Sequence, residues 1–297
     1  MRLAGRTRHA AAAVAIAALA ALGLGLNGGL GGPGTDSAAA QPRAHASQPY
    51  TYLKTRGLYR DTTVYDGRSW SVYQPVVVER WIAADGSGRQ RQLSLVPRFV
   101  SPTDRQTWEE VGKPKFLGHG FHAHLGEGLL PPGSFDDRLY GADLLSTMPT
   151  DPNAVAAWLV DRVYDPAFGG NGNGFPNSVK TIELATDLLA NPSASPSQRG
   201  LLIEAEARVP GVENLGPARD LSGRAGVALG ARSANSGLDE VYSLIFDPET
   251  GQLLGSETRL ATPPAGDALG LESTTTYLRE DEVRSRFARP PRLKRYR

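Results

Sequence analysis

The residue types best able to do chemistry are scarce in this chain. Of five histidines, His119, His122 and His124 stand in the run His119-Gly120-Phe121-His122-Ala123-His124. In a strand, residues two apart share a face. His122 and His124 would then present two imidazoles at a spacing that can chelate zinc or copper, with Glu127 or Asp136 as further ligands. The bracketing glycines Gly118, Gly126 and Gly128 fit a polar surface loop equally well.

Other catalytic patterns are incomplete. The Gly169–Gly174 run lacks the Lys-Ser or Lys-Thr pair and the feeding strand of a phosphate loop, and reads as a connection between helices. Ser87 lies in Gly86-Ser87-Gly88, a hairpin turn rather than a strand-to-helix nucleophile elbow. Glu109-Glu110, Asp136-Asp137 and Asp239-Glu240 are sequence neighbours, so in a strand they point to opposite faces and form no acid/base pair. The chain has no cysteine, which removes disulfides, thiolate metal sites, cysteine nucleophiles and a lipidated N-terminal cysteine. The expectation is a non-enzymatic protein without a cofactor. An enzyme using a metal at His122 and His124 is the alternative that this composition leaves.

Trp70, Trp81, Trp108 and Trp158 could line an apolar cleft suited to an acyl chain, or could fill the core. The C-terminal segment carries Arg284, Arg286, Arg289, Arg292, Lys294, Arg295 and Arg297, with no acid after Glu282. Pro290-Pro291 interrupts it. Such a tail is attracted to anionic lipid or wall polymer. The formal net charge is only +1, which speaks against a nucleic-acid partner.

The elements that must position these residues start with an export signal. Arg2, Arg6 and Arg8 precede residues 10–26, all of them Ala, Val, Ile, Leu or Gly, and no acid occurs before Asp36. Positive flank and apolar run together are read by the export machinery. Residues 1–34 form either a cleaved signal sequence, with small-x-small sites near Ala38-Ala39-Ala40 and Ala44-His45-Ala46, or a single transmembrane anchor with its C-terminus outside. Residues 35–48 are a linker, residues 49–280 one extracytoplasmic domain, and residues 281–297 a basic disordered tail.

Within the domain, alternation from Tyr50 to about Leu130 predicts strands, with Asp66-Gly67 and Asp85-Gly86 as hairpin turns. Thr150-Asp151-Pro152 predicts a helix start. A second helix is expected from about Asn177 to Ala190, and a third from Ser195-Pro196 to Pro210-Gly211. Short strands follow at Val227–Leu229, Tyr242–Phe246, Leu253–Leu260 and Thr274–Leu278. Segregated blocks of this kind predict an α+β fold: an antiparallel meander sheet, shaped as a half-barrel, with a three-helix segment packed on one face.

Four segments carry a family resemblance: LLSTMPTDP (Leu144 to Pro152), QRGLLIEAEARVPGV (Gln198 to Val212), LSGRAGVAL (Leu221 to Leu229) and LIFDPETGQLLG (Leu244 to Gly255). With Tyr50-Thr51-Tyr52 and Trp81-Ile82-Ala83-Ala84-Asp85-Gly86, they resemble an actinobacterial family of exported or membrane-anchored proteins of unknown function, often encoded beside extracytoplasmic-function sigma factors. Its pattern is similar to the half-barrels of lipoprotein carriers and sigma-factor regulators. The resemblance implies an envelope sensor or sigma-factor-associated binding module for an apolar or lipid ligand or an envelope protein partner, held to the membrane by its anchor or basic tail. A lipid or lipoprotein carrier is the alternative. Members often have a longer cytoplasmic segment before the span, whereas here nine residues precede the apolar run, which argues against a direct grip on a sigma factor.

Overall fold

The computed structural model describes residues 50–83, 87–114, 124–130, 142–164, 174–235, 237–267 and 269–283. Two antiparallel meanders flank a block of helices. The first comprises β1 (Tyr50–Tyr65), β2 (Arg68–Ile82), β3 (Gly88–Ser94), the short β4 (Arg98–Phe99) and β5 (His124–Leu130). The second comprises β6 (Glu213–Arg219), β7 (Ala225–Ser233), β8 (Glu240–Phe246), β9 (Leu253–Leu260) and β10 (Leu271–Val283). Pairing of β1 with β10 fuses them into one open ten-stranded sheet of order β5-β3-β2-β1-β10-β9-β8-β7-β6, with β4 attached to β2. The α+β architecture expected from the segregated blocks is the one observed.

Turn chemistry sets the first hairpin. Asp66 and Gly67 both adopt positive φ, 49° and 73°, the two-residue turn whose twist matches that of paired strands. Tyr65 therefore faces Arg68, and the register runs unbroken to Thr51 opposite Ile82. Ala84, Asp85 and Gly86 of the second expected turn lie outside the described residues, but β2 and β3 flank it in hairpin register, Ile82 opposite Gly88. β10 extends to Val283, opposite Tyr50, past the boundary expected at residue 280.

Five helices are described: α1 (Pro102–Glu110), α2 (Ala142–Ser146), α3 (Pro152–Arg162), α4 (Asn177–Leu189) and α5 (Pro196–Glu206). The last three are the helices expected from the sequence. Asp151 caps α3, its carboxylate accepting from Asn153 and Ala154 N–H groups at 3.0 Å. Ser195 and Gln198 form a reciprocal capping box on α5, which satisfies two amides that the helix itself cannot. Sequence reading missed α1, although Ser101-Pro102 has the same cap-then-proline form and Ser101 accepts from Asp104 N–H.

The core sits between α3–α5 and the β7–β9 part of the sheet. Val155, Leu159, Val179, Leu188, Leu202 and Leu244 are completely buried there. Removing one such side chain to Ala costs about 2–5 kcal/mol. Gly57 permits a close approach on the same face: a Cβ there would lie 2.5 Å from the Tyr59 ring, which folds back so that its hydroxyl meets Thr275 Oγ1 at 3.4 Å.

Candidate functional site

The face of the sheet that carries the helices can be followed strand by strand. Directly opposed residues point the same way, so the row Leu229, Leu244, Ser256, Thr275, Gly57, Val76, Ser94 crosses one face. Leu229 and Leu244 belong to the core beneath the helices. The next rows on that face are Tyr277-Thr55-Val78-Gln92 and Leu53-Arg80-Gln90. α4 contacts β7, β8 and β9, so the β10-β1-β2-β3 part of the same face lies beside it rather than under it.

Beside α4 this part of the face is a largely polar strip, termed the trough. Thr55, Val76, Val78 and Arg80 are buried at its floor. Gln74, Gln90, Ser94 and Thr275 are half-buried, and Gln92 is exposed. Arg80 is held in place by its Nε, which donates to Gln90 Oε1 at 2.8 Å. At the foot of the trough, Leu53, Thr55, Leu189, Ala190, Leu253 and Tyr277 surround a small cavity.

The wall is the polar stripe of α4. Nine residues of that helix are buried, and Lys180, Glu183 and Asp187 are the positions left between them, spaced three and four residues apart on one side. Glu183 reaches solvent and Asp187 is half-buried, yet protein crowds both carboxyls. Burial pushes the Glu183 carboxyl up to about 7, helped by the negative charge of Asp187 and opposed by Lys180. Burial likewise pushes Asp187 up to about 7, with the Arg80 guanidinium opposing it. Tyr242 lies in the same region, its hydroxyl donating to Glu240 at 3.0 Å, and burial followed by the charge of Glu240 raises its pKa.

A third carboxylic acid sits away from the trough, inside the helical layer. Glu206 at the end of α5 is wholly buried. Its Oε1 accepts from Thr181 Oγ1 of α4 at 2.8 Å, and its Oε2 has no hydrogen-bond partner. Burial pushes its pKa up to about 8, the Thr181 bond pulling the other way.

The tryptophans considered for one apolar cleft are spread over three places. Trp70 packs with Val72, Phe99, Trp108 and Val111 beside α1. Trp108 donates from its indole to the Pro114 carbonyl at 2.9 Å. Trp81 is on the opposite face of the sheet, packed on Tyr52 with the rings tilted and their centroids 5.1 Å apart and with Arg89 over its ring. Trp158 packs against the main core from α3. The trough floor is instead built from Thr, Gln and Val.

The expected metal pair is divided by the limits of the description. His122 lies outside the described residues, and His124 opens β5 opposite Ser94. Among the described residues no group of three or more potential ligands is gathered. The basic positions Arg284, Arg286, Arg289, Arg292, Lys294, Arg295 and Arg297, and the apolar run 10–26, also lie outside the described residues. Among the described residues no helix is long and apolar enough to cross a membrane.

Sequence reading singled out none of Arg80, Glu183, Asp187 and Glu206. The α4 stripe was readable as the polar side of an amphipathic helix. What it faces was not.

The segments that carried the family resemblance prove to be structural joints. Asp220 and Arg224, either side of Leu221-Ser222-Gly223, pair at 2.6 Å, and the guanidinium also donates to the Leu254 and Tyr277 carbonyls at 2.8 and 2.7 Å. Both carbonyls adjoin register shifts, in β9 and β10. Gln198 reaches the Leu145 carbonyl at 3.0 Å, and Gly251 brings the β8–β9 turn against Arg199 and Gly200 of α5.

No family model matches the sequence, and no curated protein matches it. Among solved structures, the chain is similar to MucB in complex with MucA(peri), at 13% identity and TM-score 0.23, covering 80% of this chain and 52% of that one. It is similar to the Pseudomonas aeruginosa MucA/MucB complex at 14% identity and TM-score 0.25, covering 83% and 54%. MucB alone gives 15% identity and TM-score 0.26, covering 84% and 57%. The chain spans little more than half the length of these solved chains.

Proposed function

We propose that this chain is a non-enzymatic, extracytoplasmic binding protein, an envelope sensor or sigma-factor-associated module, that receives a protein partner in the trough beside α4. The observation that carries this reading is the lining of the trough. Gln92 and Ser94 offer hydrogen-bonding side chains beside buried Val76 and Val78 and near Arg80, Glu183 and Asp187, next to Gln74, Gln90 and Thr275, which bond Leu95, Arg80 and Tyr59. Such a surface suits a peptide with polar backbone groups and alternating side chains. It suits an acyl chain poorly, because burying the exposed Gln92 amide and the neighbouring charged groups without partners costs free energy. The export reading rests on the charged and apolar N-terminus.

Two measurements test it together. A reporter enzyme active only outside the cytoplasm, fused after Arg297, is expected to be active. A photo-crosslinking residue at Gln92 is expected to give one defined protein adduct, and the same residue at Arg259, exposed on the opposite face, is not. A reporter active only in the cytosol sinks the location. Equal adducts at both positions, or a lipid retained at Gln92, sink the trough as a protein site.

A further inference from the structure

The sheet ends in two edge strands that differ in kind. β6, at one end, carries a register shift between Asn214 and Gly216. Gly216 has a φ of 80°, and Pro217 follows it with no amide hydrogen to offer. A bulge and a proline both hinder a further strand from pairing. β5, at the other end, has neither. It pairs with β3 in unbroken register, from Leu130 opposite Gly88 to His124 opposite Ser94. It contains no proline or lysine, and among the described residues it has no second neighbour. Glu127, Gly128 and Leu129 are exposed. We infer that an extended segment of a protein partner adds to the outer edge of β5 as a further strand, with a basic residue opposite Glu127 and an apolar residue two positions away. The inference rests on the reading of the chain as a protein-binding module and adds the mode of binding and the chemistry of the partner.

Charge across the edge selects the occupant. Glu79 of β2, Arg91 of β3 and Glu127 of β5 stand in one row, so the sign alternates from strand to strand toward the edge. Arg91 pairs with Glu79 at 3.4 Å, and Arg89 Nε donates to Glu127 Oε1 at 2.8 Å. Glu127 Oε2 has no partner among the described residues. Opposite charges on facing residues of neighbouring strands attract and like charges repel, so the next place in that row suits Lys or Arg. The adjoining row on the same face runs from Trp81 through Arg89 to Leu129. Leu129 is 61% exposed, and an apolar side chain set beside it removes that surface from water. On the trough face Gly128 lies opposite Gln90, and a Cβ at Gly128 would meet nothing within 4 Å. No side chain at that position fences the trough from the edge, so an alternate residue of the added strand can reach over Gly128 toward Gln90. A second copy of this chain is the poorer occupant, because pairing β5 along its whole length with its own copy sets Glu127 against Glu127.

Selection of displayed random peptides of about ten residues on the purified full chain tests this. Enriched peptides are expected to share Lys or Arg two positions from Leu, Ile, Val or an aromatic residue. One such peptide is then synthesised with single backbone amides N-methylated in turn. Its affinity is expected to fall about tenfold at positions of one parity and little at the other, since only alternate amides of an added strand face β5. Replacing its basic residue by Glu is expected to weaken binding to the unsubstituted chain and to restore it on Glu127→Lys. Glu127→Gln, which sets no new cation beside Arg89, is expected to hold the two peptides about equally. The methylation series uses the unsubstituted protein, so it decides the matter even where Glu127→Lys does not fold. Selection without a basic residue overturns the inference, as does affinity loss at both parities alike. A chain that sediments as a dimer, and as a monomer after Leu129→Asp, overturns it in favour of a second copy. A defined adduct at Gln92 combined with no parity effect removes the strand addition and leaves the trough as the protein site, whereas a parity effect without that adduct removes the trough and leaves the strand.

Discussion

At the scale of single residues, the most informative groups are acids kept from water. Glu206 has one hydrogen-bond donor and one oxygen with none, so the protonated form suits its site. Its pKa is about 8 in the folded chain against an ordinary 4.5. Between those values the folded state binds more protons than the unfolded one, so stability is full at acid pH and falls as pH rises through the interval. Glu206→Gln keeps an acceptor for Thr181 and cannot ionise. Thermal unfolding from pH 5 to 9 is expected to show wild type losing on the order of a few kcal/mol and the variant losing less, its remaining slope coming from Glu183 and Asp187. Parallel slopes would refute the assignment. For the trough, Glu183 and Asp187 are expected to titrate near 7 when followed by carboxyl NMR shifts. Arg80→Met removes the one opposing cation named for Asp187, and its midpoint is expected to move upward.

At the scale of elements, caps and bulges tie helices to sheet. The capping box of α5 also sends Gln198 to the Leu145 carbonyl of α2, so one side chain starts a helix and fastens its neighbour. Ser195→Ala is expected to cost about 1 kcal/mol. Gln198→Ala is expected to cost more and to speed amide exchange in α2 as well as in α5; an effect confined to α5 would show that the Leu145 bond is idle. Arg224 holds the carbonyls at two register shifts and neutralises fully buried Asp220. Arg224→Ala leaves that carboxylate without its cation and is expected to cost about 3 kcal/mol, read from denaturant midpoints. Arg224→Lys, a point charge without the planar fork, is expected to recover less than half.

At the scale of the whole molecule, the sheet is continuous only because its first strand meets its last. β1 makes its two longest ladders with β2 and β10, and the second of these spans nearly the entire domain. Removing residues 271–297 should therefore strand β1 at an edge and expose the side of β9 that β10 pairs. Such a chain is expected to lose cooperative unfolding, whereas removal of 284–297 alone leaves the transition in place. A cooperative transition in the shorter chain would mean that the two meanders fold independently.

Much of the element order was legible beforehand, for local reasons. Asp66-Gly67 can supply two positive φ values in succession, Asp151-Pro152 and Ser195-Pro196 can cap and open helices, and the alternation of β8 and β9 can serve one buried face; each of these depends on residues within a few positions of one another. The α+β class followed from their segregation. α1 and β6 escaped notice because α1 buries no residue fully and β6 is mostly exposed, so neither has an apolar period to read. The site escaped for a different reason. Arg80 and Asp187 lie more than a hundred positions apart in the chain, and Tyr50 meets Val283 only when the two meanders join. Sequence alone determined the turns, caps, strand faces and the sign of the terminal charges, because those follow from backbone dihedrals and local composition. Tertiary structure alone decided which strands the described helices cover and that the first strand pairs with the last, because both depend on long-range strand pairing that no local pattern encodes.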